Sequence, residues 1–192
     1  MITSHQLLQH LQQQSQQQPL LIVAIDGYAG AGKSTLAIWL SQQLPTSQIL
    51  ALDDFYRPLS SQQQQLQAEP AVQAYLPTQL VVEQIMRPLY QGQTAIWRAL
   101  DWLTQSRSPE KQISAQGVVI VDGVFSTHKD LMPWVDVSIM VSTAIETCQR
   151  RVVARPQPDT AWLAHWQTTE EWFHKHNNTH SKVDWVIAGN VR

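Results

Sequence analysis

Residues 22–40 read IVAIDGYAGAGKSTLAIWL. An apolar run meets Gly27-Tyr-Ala-Gly-Ala-Gly32-Lys33-Ser34, and an apolar-periodic segment follows. Gly-x-x-x-x-Gly-Lys-Ser set between a strand and a helix is the pattern of a phosphate-binding loop. Its glycines let backbone N–H groups turn inward around phosphate oxygens. The helix that follows points its positive end at the same oxygens. The pattern predicts that Gly27, Ala29, Gly30, Ala31, Gly32, Lys33, Ser34 and Thr35 wrap the phosphates of ATP. Lys33 is expected on the outer phosphates and Ser34 on Mg²⁺.

Outward from the loop, the chain alternates. Residues 20–26, 48–52, 117–122, 135–141 and 183–188 read as strands, the clearest being GVVIVD at 117–122. Residues 33–44, 78–90, 144–154 and about 159–176 read as helices. Thr78 is placed to cap the second, Pro88 disturbs its end, and Pro156 closes the third. Strands alternating with helices imply crossovers and a parallel sheet covered on both faces. The expected fold is therefore α/β. One domain spans 1–192, with a Gln-rich helix at 1–19. The Gln runs at 12–18 and 62–65 read as a helix end and a surface loop.

Composition narrows the class. The 192 residues are 43% hydrophobic, enough for one well-buried core. A net charge of −2 offers no basic field for nucleic acid. The one cysteine, Cys148, cannot form an internal disulfide and suits a reducing compartment. No apolar run approaches a membrane span, and the N-terminus has no signal-peptide pattern. A cytoplasmic protein working on a small molecule is expected, with homo-oligomer formation left open.

Three further stretches carry chemistry. LDDFYRP at 52–58 ends the second strand, so Asp53 and Asp54 emerge on the phosphate side of a parallel sheet. A carboxylate there orients an acceptor hydroxyl, takes its proton or holds Mg²⁺; equally, an Asp there forms a turn or cap. Asp122 closes the strand VVIVD before Gly123, as a partner for the metal at Ser34 or as a turn former. In CQRRVVAR, Arg151 and Arg155 lie four apart beside Arg150, on one helical face. They suit a phosphoryl group in flight, or simply the helix C-terminus. Trp162, Trp166 and Phe173 form a packing stripe rather than a base-stacking platform. His174, His176 and His180 match no zinc spacing.

Together GYAGAGKST, LDDFYRP and VVIVDGVFS resemble the P-loop kinases of the uridine kinase and phosphoribulokinase type, over about residues 20–189. The resemblance implies Asp53 as the catalytic carboxylate, Tyr56 as the matching aromatic and Asp122 as a Mg²⁺ partner. It maps the lid arginines to Arg150, Arg151 and, with a one-residue slip, Arg155. LDWLTQSR at 100–107 is similar to the uridine kinase segment YDFVTHSR, which makes Asp101 and Arg107 substrate residues. Leu100 and Gln105 stand where that family carries Tyr and His. The resemblance thus implies a P-loop NTPase fold, an α/β sheet of about five parallel strands with helices on both faces, an acceptor-binding insertion at about 53–110 and a small lid at about 150–160. It also implies ATP and Mg²⁺, a phosphotransferase and a hydroxyl acceptor. The departures imply that uridine and cytidine are poor acceptors and that an anionic or otherwise different hydroxyl compound is preferred. A nucleotide switch or regulatory ATPase stays as the rival, although no NKxD-like motif is present.

Overall fold

The structure, a computed structural model, describes residues 1–100, 106–155 and 160–189. Helix α1 (Ser4–Ser15) starts at a reciprocal cap: Gln6 N–H donates to the Thr3 hydroxyl, and Thr3 N–H donates to the Gln6 side chain. Leu7 and Leu11 turn inward from it and are fully buried. Strand β1 (Leu20–Asp26) follows and becomes the centre of the sheet.

Helix α2 (Lys33–Gln43) leads from the loop to β2 (Ser47–Ala51). Strands β3 (Ala95–Trp97) and β4 (Lys111–Ile113) form a separate antiparallel pair, pairing Trp97 with Lys111. The main sheet is completed by β5 (Gly117–Asp122), β6 (Val137–Ser142) and β7 (Trp185–Ala188). Its order is β2-β5-β1-β6-β7, with every pairing parallel. The register sets Ile25, Asp122 and Ala51 side by side. The C-terminal ends of β1, β5 and β2 are therefore level, and whatever follows them converges on one rim.

Alternation within these strands builds two cores. Leu21, Val23 and Ile25, with Val118, Ile120, Ile139 and Val141, pack under α1 and α2 against Leu7, Leu11, Leu36 and Leu40. Ile22, Leu50, Val119 and Val121 face the other way, onto Tyr56, Tyr75, Phe125, Trp166 and Phe173. The second core is roofed by α3 (Ala68–Tyr75) and α7 (Thr160–Asn177), while α6 (Ile145–Val153) follows β6. Cys148 is buried on α6 as a small apolar residue.

Several local expectations are corrected. The segment at 78–90 is helix, but in three pieces: α4 (Thr78–Val81), a π-turn at Val82–Met86 and α5 (Arg87–Tyr90). Pro88 lacks the N–H that an α-turn would give to the carbonyl of residue 84, and the wider π-turn absorbs the mismatch. Thr78 is not the cap. Pro77 holds that position, and the Thr78 hydroxyl donates to Asp130 at 2.6 Å. Arg151 and Arg155 do not share a helical face, because α6 stops at Val153 and the Arg155 amide closes a turn onto Val152. The segment at 52 leaves the strand one residue early, as Leu52–Asp54 tightens into a 3₁₀ turn. The Gln-rich loop carries a short 3₁₀ turn of its own at Gln63–Gln65.

Candidate active site

The loop at 27–32 sits at the end of the central strand, and its glycines are required sterically. Gly30 has φ +81°, and a side-chain carbon there would meet the Cys148 carbonyl oxygen at 2.5 Å. Gly27, at φ +142°, would press a side chain onto the Val141 carbonyl oxygen at 2.6 Å. Close packing of the loop on β6 and α6 thus excludes every other residue at both positions. The Lys33 ammonium folds back over the loop, donating to the Gly27 carbonyl at 2.9 Å and the Tyr28 carbonyl at 3.0 Å. Among the described residues none accepts a hydrogen bond from the amides of Gly32, Lys33 and Ser34. These donors lie at the first turn of α2, where four amides are always left over and where anions bind.

The level rim brings the expected carboxylates to the same place. Asp122 is buried, and its Oδ1 has no partner among the described residues. Burial raises its carboxyl pKa, while a hydrogen bond from the Ser34 side chain and the charge of Lys33 pull it down. Asp53 is reached by solvent but ringed by protein. Confinement raises its pKa; Lys33 lowers it, Asp122 and Asp54 raise it, and Arg155 lowers it. Lys33, Ser34, Asp53, Asp122 and Arg155 are therefore within electrostatic reach of one another.

Asp53 and Asp54 part company after Leu52. Asp54 accepts from Lys111 Nζ at 2.7 Å and from the Trp97 indole N–H at 2.9 Å, which pins the β3–β4 pair to the end of β2. Trp97 stacks on Phe55 behind that clamp. Asp54 is thereby committed, while Asp53 is exposed and feels the charge of Lys33. Tyr56 is buried, its hydroxyl donating to the Val124 carbonyl at 2.8 Å, so it stands as a wall rather than an open donor. Arg151 reaches the Gly30 carbonyl at 3.0 Å, while Arg150 points outward to the Thr147 hydroxyl. Arg107 is exposed and bridges to Leu100, whose amide bonds the Asp54 carbonyl. Asp101 and Gln105 lie outside the described residues, as does Pro156.

The donor set suits a hard divalent cation. Asp122 raises the pKa of Asp53, holds an unpartnered buried oxygen of its own, and has a serine hydroxyl beside it. Oxygen ligands of this kind fit Mg²⁺, which takes one or two carboxylates and completes its shell with water and phosphate. Among the described residues no group of three or more His, Cys, Asp or Glu gathers, so phosphate oxygens would have to supply the rest.

Two site residues escaped the sequence reading. Asp26 closes β1 fully buried, accepting from the amides of Gly27, Phe125 and Thr127 and from the Thr127 hydroxyl. It ties the phosphate loop to the turn after β5, where Phe125 takes a left-handed φ of +69°. Its signal was visible: like Asp122, it is a carboxylate ending an apolar strand. Glu170 on α7 is also buried and accepts from the Ala29 amide at 2.8 Å. Nothing local distinguishes it from its neighbour Glu171.

A model of the phosphoribulokinase/uridine kinase family matches residues 22–159, most of the chain and all of the residues above except Glu170. The chain belongs to that family. This P-loop kinase also resembles solved structures along nearly its whole length. One, described as a possible uridine kinase from Bacillus stearothermophilus, superposes with a TM-score of 0.67 at 17% identity, covering 95% of this chain and 99% of the other. Another, D-glycerate 3-kinase from Cryptococcus neoformans, gives 0.58 at 12% identity, with coverage of 98% and 96%. At such identities the likeness is one of fold. No curated protein matches the kinase in sequence. No helix among the described residues is long and apolar enough to cross a membrane.

Proposed function

We propose that this kinase transfers the terminal phosphoryl group of ATP to a hydroxyl of a small metabolite. The observation that carries the reading is the separation of Asp53 from Asp54. An exposed carboxylate within electrostatic reach of Lys33 and Asp122 is what transfer to a hydroxyl needs. A switch that only hydrolyses nucleotide has no need of it.

Phosphoryl transfer asks little covalent work of a protein, so positioning and charge dominate. The loop amides and Lys33 would hold the β- and γ-phosphates. Ser34 and Asp122, with Asp53 nearby, would hold Mg²⁺, which supplies charge neutralisation across the phosphate oxygens. Asp53 orients the attacking hydroxyl and takes its proton as the bond to phosphorus forms. Arg151 braces the loop at Gly30, and Arg155 adds positive charge beside Asp53.

The acceptor is read from the insertion beyond β2. Arg57 and Arg107 are exposed on its rim, and Leu100 offers no hydrogen bond where a nucleoside pocket needs one. A pocket that lacks its polar partner discriminates against the ligand, because a buried group left unpaired is costly. We infer a preference for a hydroxyl compound that carries phosphate or carboxylate. The names of the fold neighbours span a nucleoside and a hydroxy acid, so the fold leaves that choice to the pocket. The experiment is ATP turnover with a panel of uridine, cytidine, sugar phosphates and hydroxy acids. A kcat/KM for uridine above about 10⁴ M⁻¹s⁻¹ contradicts the preference. Steady hydrolysis that no acceptor accelerates contradicts transfer itself.

A further inference from the structure

One peptide group in the phosphate loop is held from both sides. Its carbonyl, that of Tyr28, accepts from Lys33 Nζ at 3.0 Å. Its N–H, that of Ala29, donates to Glu170 Oε1 at 2.8 Å. In a trans peptide these two groups point in opposite directions. Lys33 and Glu170 are therefore linked through a single peptide, with both side chains polarising the same amide. Glu170 is 3% exposed and Lys33 8%, so water screens the pair poorly.

We propose that Glu170 is a positioning residue for nucleotide binding, one that fixes the Tyr28–Ala29 peptide against Lys33 and takes up a proton when a triphosphate neutralises Lys33. The inference rests on the reading that this loop holds a nucleoside triphosphate. It adds a residue outside the family match and a proton to the binding equilibrium.

The surroundings support it. Burial raises the Glu170 carboxyl to about 7, with Lys33, the Ala29 amide and the Trp166 side chain pulling it down and Asp26 pushing it up. Lys33 is the cation named among those influences; the groups facing Glu170 elsewhere do not replace it. Tyr28 on the loop, Tyr56 and Tyr75 on the acceptor side, and Cys148 on α6 all feel its negative charge and are themselves raised by burial. Arg151 on α6 is taken to the Gly30 carbonyl. His174, one turn along α7, is held toward its neutral form by burial. Phosphate charge arriving at Lys33 thus removes the main support of the ionised carboxyl, and its pKa rises further.

The sign follows from linkage. With the free carboxyl titrating at about 7 and the bound one raised above it, a fraction of a proton enters on binding at pH 7.5. Affinity then falls as pH rises from 7 to 8, by at most about fivefold for one proton. The measurement is calorimetric binding of Mg·ATP at pH 7.5 in two buffers of different ionisation enthalpy, which reads proton uptake directly. Wild type should take up a measurable fraction of a proton beyond the nucleotide's own titration. Glu170→Gln keeps an oxygen for the Ala29 amide, so it should bind with no added uptake and a flat affinity across pH 7 to 8. Glu170→Ala loses the brace as well, and should bind more weakly at every pH, without the slope. Equal uptake in wild type and Glu170→Gln overturns the inference, and so does absence of uptake in wild type, which needs no variant to fold. Failure of wild type to bind ATP at all overturns the functional reading, and the inference falls with it.

Discussion

Asp53 and Asp54 are adjacent carboxylates with opposite surroundings. Asp54 is held by Lys111 and Trp97; Asp53 has Lys33, Asp122 and Arg155 around it. The two should separate under mutation. Asp53→Asn is expected to fold, to bind ATP and to lose about 10²- to 10⁴-fold in kcat, the usual effect of removing a general base. Asp54→Asn should instead lower the melting temperature, because a partly buried clamp on the β3–β4 pair loses its charge. A dead Asp54→Asn beside an active Asp53→Asn reverses the roles. Glu170 offers a second test at this scale, through stability. The folded chain keeps its proton up to about pH 7, while the unfolded chain releases it near the ordinary 4.5. Stability is therefore lost as pH rises through that window. Glu170→Gln should melt higher than wild type at pH 8 and gain nothing at pH 4.5, as thermal scans at the two values would read. Of these residues, Asp122 was legible because it ends an apolar strand, and Asp53 because it closely follows one. Glu170 was not, since only the third dimension brings α7 over the loop.

Among the elements, the phosphate loop tolerates little change. A methyl group at Gly30 meets a backbone carbonyl at 2.5 Å in a left-handed conformation that alanine resists. Gly30→Ala is expected to abolish ATP-dependent thermal stabilisation, and an unchanged shift in melting temperature with ATP would refute the geometry. Lys33→Ala should do the same by charge alone. The elements also show why some were readable and others not. Strands β1 and β5 are buried on both faces, so they appear as unbroken apolar runs with sharp ends. Strands β3 and β4 are three residues each, half exposed, and too short for any periodicity to register. Helix α3 carries Pro70 in its first turn, where proline is tolerated, and its eight residues stand in a stretch for which the sequence predicts no element. The π-turn before Pro88 is a tertiary accommodation: residues 82, 85, 86 and 89 all stay buried across it.

Across the whole molecule, helix α7 joins what the sequence separates. Glu170 reaches the phosphate loop, His165 bonds both the Tyr75 hydroxyl and the Leu66 carbonyl on the acceptor side, and Asn177 bonds the Thr127 carbonyl after β5. The phosphate loop, the segment after β2 and the turn after β5 thus share one strut. The N-terminal helix has a different task, sealing the opposite core, and Leu11→Ala there should cost about 2–5 kcal/mol without changing turnover at a temperature where the variant is folded. A Leu11 variant that stays folded but loses activity would contradict that division of labour. The central claim is that phosphate leaves this site on a hydroxyl. It is tested most directly by following ADP release and phosphorylated product together, with ATP, Mg²⁺ and a panel of uridine, sugar phosphates and hydroxy acids. The account predicts that one phosphorylated or carboxylated alcohol raises ADP release, matched one for one by its phosphorylated product, and that Asp53→Asn removes both. ADP release at the same rate with every compound and with none, and no phosphorylated product, would contradict it.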